Sequence, residues 1–421
     1  MIYPLYRVVS SLLPFVATLN LWRRSLREPD YRIRIKERFG FAPPSIRPGS
    51  IWVHAVSAGE VIAAEMVVNQ LLQSSSTQRV LITTTTPAGS AEVSRRFGNR
   101  VDHCYMPYDA QRCIRRFINL TRPRALILIE TELWPNLLNI TRQEGIDVCL
   151  LNARLSARSA RRYQLVPSLT KRMLNSITMI VSQYEDTAER FRKLGFPKAG
   201  MHVTGNIKFD LSISEETQRS ADIGREKWRG ERPCWLAAST HPGEEEVVLE
   251  AHLKARETHP DLLLVLVPRH PHRTHDVEVL ASTRSLTTAR YSDAFQSVDV
   301  LVVDQMGVLL EMCGVADVAF IGGSLEGTGG HNPVEPAVFG VPLLMGPDRM
   351  NFEEVCARFV DSGCLTTVHN EDELASELLG LLNDPDLRKR QGDAARLVVD
   401  ENRGAAESQF RIVSNWLHAA S

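Results

Sequence analysis

Residues 318–347 read VAFIGGSLEGTGGHNPVEPAVFGVPLLMGP, and the reading of this stretch decides the fold. Val318–Ile321 is a short apolar run of buried-strand length. Gly322, Gly323 and Ser324 break it, and Gly327, Gly329 and Gly330 keep the loop free of Cβ atoms. Asn332, Pro333, Val334 and Glu335 then form a helix start, with Asn as N-cap, Pro at the first helical position and an acid at the third. Gly340 stops that helix, and Pro342–Met345 resembles a second buried strand. Two readings fit: an ordinary βαβ turn, or an anion site with bare backbone N–H groups facing outward.

Working outward, the same alternation recurs. Apolar runs at 234–238, 262–267 and 299–303 precede the stretch, and 371–419 reads as helices. Earlier runs fall at 51–56, 79–84, 125–129, 148–152, 178–182 and 201–204, most of them separated by helical patterns. A polar break at 205–231 divides the two series. Strands alternating with helices predict parallel sheets wrapped by helices. The expected organisation is an N-terminal segment over 1–40, one Rossmann-like domain over 41–207 and a second over 208–421. Ligands in such sheets bind beyond the carboxyl ends of the strands, and a cleft between two domains is a usual place for one.

With 421 residues the chain is too long for one ordinary core. A net charge of −1 argues against broad nucleic-acid binding. Its seven cysteines are scattered, without a C-x-x-C pair or a Cys/His cluster, which predicts a reducing compartment and no structural zinc.

The first 40 residues differ from the rest. Val8–Trp22 is uncharged and interrupted by Pro14, and Leu5, Val8, Val9, Leu12, Leu13 and Val16 recur on one helical face. Arg23–Arg38 follows with seven Lys/Arg against three Asp/Glu, a net of +4. An apolar helix beside a basic segment predicts contact with an anionic membrane surface, the basic flank keeping the next domain cytoplasmic. A core helix is the other reading, since the apolar run is short for a span of about 20 residues.

Strand ends hold the candidate chemistry. His54, Ser57, Gly59 and Glu60 follow the first strand. Ser57-x-x-Glu60 fits a capping box, and Glu60 also fits a general base at a cleft mouth, with His54 able to orient it or bind substrate. Glu130 and Glu132 follow the third run; a buried Glu130 needs a partner, either His54 or a basic residue. Lys208 alone reads as a solvated linker lysine, although a cation there can also meet a phosphate or a sugar acid. In the second domain Ser239 and Thr240, then Pro268 and Arg269, then Met306 and Gly307, then the opening stretch each end a strand with groups suited to hydroxyls or anions. That recurrence marks the nucleotide side. Asp384-Pro385-Asp386 reads as a helix start rather than a metal motif, and no metal site is expected.

Taken together, HAVSAGE, ETELWPN, LLNARLS, GNIKFD, ASTHPGEEE, PRHP and GGHNPVEPA, with the WRR…RIKERFG segment, resemble the 3-deoxy-D-manno-oct-2-ulosonic acid (Kdo) transferases of lipopolysaccharide synthesis over nearly the whole chain. The resemblance implies an enzyme of the GT-B arrangement, two Rossmann-like domains facing across a cleft, on the cytoplasmic side of the inner membrane. It implies transfer of Kdo from CMP-Kdo to the lipid A precursor lipid IVA, with no metal and no cofactor. Glu60 matches the family's proton acceptor, and Glu130 and Lys208 match positions of transition-state support. Pro268 and Arg269, the segment from Met306 through Gly307 to Leu309, and Asn332, Pro333, Val334 and Glu335 match the CMP-binding side. One position departs: Val308 stands where the family commonly has Glu, so a side-chain contact from that point is in doubt while a backbone one can survive. Other readings of the same chain are a UDP-sugar transferase, a nucleotide-sugar epimerase of similar fold, or a membrane-associated binding module without catalysis.

Overall fold

The protein is described by a computed structural model over residues 2–26, 28–74, 78–294 and 297–419. Arg27 of the basic segment, and Ala420 and Ser421 at the end of the expected second domain, lie outside the described residues. The chain divides into two compact units: residues up to Asp210 together with those from Arg403 onward, and Leu211–Asn402.

The first unit is built on a seven-stranded parallel sheet. Its strands are β1 (Ile51–His54), β2 (Val80–Thr84), β3 (Asp102–Tyr105), β4 (Ala125–Ile129), β5 (Asp147–Ala153), β6 (Met179–Ser182) and β7 (Met201–Val203), in the order β3-β2-β1-β4-β5-β6-β7. Helices cover both faces, so each central strand must bury both sets of side chains. In β4, Leu126 and Leu128 enter one core while Ala125, Ile127 and Ile129 enter the other. The order reverses at β1, whose neighbours are β2 and β4. That reversal is the place where a doubly wound sheet opens a crevice for a ligand.

The second unit repeats the plan with β8 (Cys234–Thr240), β9 (Leu263–Pro268), β10 (Thr288–Arg290), β11 (Val300–Val302), β12 (Val318–Ile321), β13 (Leu343–Met345) and β14 (Leu365–Thr367). Here the order is β10-β11-β9-β8-β12-β13-β14, all parallel, and the reversal falls between β8 and β12. The stretch first quoted therefore begins in β12, next to the switch point.

Two expectations change. The boundary drawn at 208–421 gives way, because the C-terminal helix Ala405–Ala419 packs on the first unit. Its Ala406, Val413 and Leu417 join the core of β1, β2 and β4. Asp210 fixes that return: its carboxylate accepts the backbone N–H groups of Gly404 and Ala406 at the helix start. The N-terminal segment is two helices, Ile2–Ser10 and Leu13–Arg24, bent by 46°. Pro14 sits in the first turn of the second, where its missing N–H costs nothing. Among the described residues no single helix is long and apolar enough to cross a membrane, whereas the bent pair meets that test by length and composition. Leu5, Val8, Val9, Leu12, Leu13 and Val16, expected on one apolar face, are all exposed.

Candidate active site

In the first unit the helix Ala58–Ser74 starts directly after β1, and its first turn carries Glu60. The carboxylate accepts Val56 N–H at 2.7 Å and the Ser57 hydroxyl at 3.2 Å. The capping role is therefore real, in a modified form that ties Glu60 to the backbone one residue before Ser57. Capping does not hold the group in its ordinary state. Burial, and then the negative charge of Glu130, push the Glu60 carboxyl up to about 8, against the Val56 hydrogen bond. A carboxyl raised this far is poised to take a proton near neutrality.

Glu130 follows β4, at the other side of the same switch point. Its φ of 61° places a side-chain-bearing residue in the left-handed region, which is costly and tends to persist where function needs it. Lys208 Nζ lies 2.8 Å from its Oε1, both side chains being mostly buried. Lys208 is thus not a solvated linker residue. A buried amide network fixes it: Asn206 Oδ1 accepts Lys208 N–H at 3.0 Å, Asn152 Oδ1 accepts Ile207 N–H at 3.2 Å, and Gln183 bridges Asn152 and Asn206. Gln409, from the returning C-terminal helix, donates to Gly205 O at 3.2 Å. Sequence reading missed these amides. Their signal is weak, although Asn152 and Asn206 each lie within a motif already noted.

His54 is a correction. It neither orients Glu60 nor partners Glu130: its Nδ1 lies 2.9 Å from Thr83 Oγ1 and 3.0 Å from Thr83 O, and burial pushes its imidazole down to about 4. The ring packs edge-on against Trp134 at 5.5 Å. Trp134 Nε1 in turn donates to Glu132 Oε2 at 2.7 Å. Burial raises Glu132 to about 7, the Trp134 bond opposing and Glu130 adding to it. The site therefore gathers three mutually repelling carboxyls, one of which, Glu130, is paired with the Lys208 ammonium.

In the second unit the glycine loop does not present all its N–H groups. Gly323, Ser324 and Leu325 donate theirs to the Glu244 carboxylate at 2.6, 2.8 and 2.9 Å, and Glu244 also accepts His241 N–H at 3.0 Å. An internal acid thus fills the anion nest expected to face outward. The helix after the loop is one turn, Val334–Ala337, with Pro333 just before it. Asn332 Oδ1 accepts Val334 N–H at 3.2 Å while its Nδ2 donates to Glu335 at 3.3 Å. The Thr240 hydroxyl turns inward to Glu245 at 3.3 Å, so it is not the free hydroxyl expected, and its neighbour Ser239 has φ 57°. Pro268 ends β9, and Arg269 follows with no ion-pair partner among the described residues. Met306 is exposed, Gly307 adopts φ 92°, and Val308 precedes the short helix that begins at Leu309. Among the described residues no three His, Cys, Asp or Glu side chains gather as a metal site.

The chain is similar to known proteins of one family. The family model described as 3-deoxy-D-manno-octulosonic-acid transferase (kdotransferase) matches residues 33–211. The chain is 40% identical to a 3-deoxy-D-manno-octulosonic acid transferase of Haemophilus influenzae over 93% of each chain. It is 32% identical to one of Bordetella pertussis, covering 95% of this chain and 96% of that one. Among solved structures, a UDP-GlcNAc 2-epimerase from Neisseria meningitidis aligns with TM-score 0.60 at 14% identity, over 88% of this chain and 100% of that chain, a likeness of fold alone.

Proposed function

This chain belongs to the Kdo transferase family of lipopolysaccharide synthesis, and we propose that it moves Kdo from CMP-Kdo to lipid IVA with inversion at the anomeric carbon. The observation that carries the proposal is Glu60, a carboxyl raised to about 8 at the switch point and set beside the Glu130–Lys208 pair. A sugar hydroxyl is a poor nucleophile at neutral pH. Glu60 takes its proton as the oxygen attacks Kdo, while the bond to the CMP phosphate breaks on the opposite face. The transition state has oxocarbenium character. Lys208 supplies a fixed positive charge near the reacting centre, and Glu130 holds that ammonium in place. In the second unit Arg269 and the segments at Met306–Leu309 and Asn332–Glu335 are assigned to the CMP part of the donor. No step in this scheme calls on a metal or a cofactor. The acceptor's acyl chains make a membrane surface the natural workplace, and we assign the exposed N-terminal helix pair to the cytoplasmic side of the inner membrane.

The deciding experiment is mass spectrometry of products from CMP-Kdo and lipid IVA, in excess chelator, for wild type and Glu60→Ala. Wild type is expected to give a Kdo adduct and Glu60→Ala less than about a hundredth of it, in line with loss of a general base. Normal turnover by the variant removes Glu60 from the mechanism, and loss of wild-type activity with chelator removes the metal-free scheme.

A further inference from the structure

At the switch point of the second unit, four imidazoles gather around Arg269. His241 follows β8, His270 and His272 follow β9, and His331 closes the glycine loop after β12. His241 Nε2 and His331 Nε2 are 2.9 Å apart, and the two rings are coplanar within 3° at a centroid distance of 5.2 Å. His270 meets His241 edge-on at 6.1 Å and stacks on His272 at 5.5 Å.

A contact of this length between two ring nitrogens requires one to donate and the other to accept. The neutral pair therefore shares one proton across the contact. Of the two remaining ring nitrogens, one carries N–H and the other a lone pair. One further proton turns that lone pair into a donor and gives the pair a charge of +1.

The charged neighbours favour an incoming anion. Glu244 is saturated by four backbone N–H groups, and Glu245 is taken by Arg273 at 2.6 Å. Arg269 is left as an unpaired cation among the described residues, with His270 and His272 exposed beside it. Burial holds His331 down to about 3, with Arg269, His241 and His270 adding to the effect. Burial lowers His241 as well, against Glu244. An anion docked at Arg269 cancels the part of this effect that comes from Arg269, and it gives the protonated pair a counter-charge.

We propose that His241 and His331 form a protonatable clamp for the donor's phosphate: docking of the anion draws one proton from solvent onto the pair, and nucleotide release returns it. The inference rests on the assignment of this unit to the CMP-sugar donor. It adds two residues that carry no assigned role, and it makes donor affinity depend on pH.

The test is calorimetric titration of the full-length protein in detergent with CMP, in buffers of differing ionisation enthalpy. At pH 7.5, where the nucleotide phosphate is already dianionic, wild type is expected to take up about one proton per CMP, and His331→Asn and His241→Asn close to none. The ligand's own titration cancels in the comparison. For one linked proton, wild-type affinity relative to either variant falls about tenfold per pH unit between the free and bound pKa values of the pair. Zero uptake by wild type, or equal uptake by wild type and both variants, overturns the clamp. Where one variant folds poorly, the other carries the comparison, and zero uptake by wild type overturns the clamp without either. Absence of the clamp with a normal Kdo adduct from CMP-Kdo sinks this inference alone. Absence of both CMP binding and the adduct sinks the donor assignment with it.

Discussion

In the proposed mechanism Glu60 serves structure and chemistry together. Its carboxyl accepts two local hydrogen bonds that favour the charged form, yet burial and Glu130 outweigh them and leave it at about 8. As a base it works only when ionised, so kcat/KM is expected to rise with pH through about 8. Glu132 also bears on Glu60 and raises it. Glu132→Gln removes a negative charge and should move the acid limb to lower pH by about half to one unit, read from the pH profile of kcat/KM. A limb that stays in place shows that Glu60 does not govern it. Stability carries the opposite mark. Because the folded-state value lies above the ordinary carboxyl value of 4.5, the contribution of Glu60 is full below 4.5 and is lost as pH climbs through about 8. Glu60→Gln should therefore gain in Tm relative to wild type between pH 6 and pH 9. These acids were legible in the sequence because they lie within a few residues of the ends of apolar runs. The hold on Lys208 was not, because Asn152, Gln183, Asn206 and Gln409 meet only through tertiary structure. Likewise the glycines of 322–330 announce a loop but cannot reveal that Glu244, about eighty residues earlier, reaches in to occupy its N–H groups.

At the level of elements, the runs read as strands all appear as strands, including the edge strand β7. The three that escaped, β3, β10 and β14, are all edges of their sheets. An edge strand is covered incompletely, so it needs no long apolar run and can carry Asp102 and His103, Thr288 and Arg290, or Thr366 and Thr367. The C-terminal helix shows a second limit. Its apolar face was readable, but the surface it covers is chosen by Asp210, almost two hundred residues away. Asp210→Ala leaves the first backbone N–H groups of that helix without their acceptor. The expected cost is about 1–2 kcal/mol, seen as a lower Tm and as faster hydrogen exchange in Ala405–Ala419. Because Gln409 donates to Gly205 O from the same helix, the variant should also loosen Lys208 and lower kcat. Unchanged exchange in the helix would show that core packing alone holds it.

Across the whole molecule, the N-terminal helix pair is both exposed and anchored. Phe15 is 70% and Leu19 73% exposed, an unusual cost for side chains that meet only water. The pair is nonetheless joined to the rest of the first unit. Tyr6 donates to Asp109 at 2.8 Å, and Asp109 accepts Asn136 and Leu137 N–H at the start of the helix that follows the Glu130 loop. On the proposed assignment of these helices to a membrane surface, that surface also sets the height of the site above it. The basic segment gives less charge to that surface than its +4 suggests. Arg38 is buried, with its guanidinium on Thr85 O, and Arg34 is engaged by Glu37, Ser90 and His103. Of the described residues in the segment, Arg23, Arg24, Arg32 and Lys36 are exposed against Glu28 and Asp30, four minus two, or +2. Vesicle binding should accordingly be driven by apolar burial more than by charge. With roughly 1.5–3 kcal/mol for each large apolar side chain buried, the Val9→Asp, Phe15→Asp double variant should lose at least about a hundredfold in partition to vesicles of anionic lipid. Raising salt from 0.1 to 0.5 M should cost wild type only about tenfold, given about 1 kcal/mol per basic residue near such a surface. Retention of the double variant on vesicles, or release of wild type by salt alone, would reverse that ranking and place the basic residues in charge of the contact.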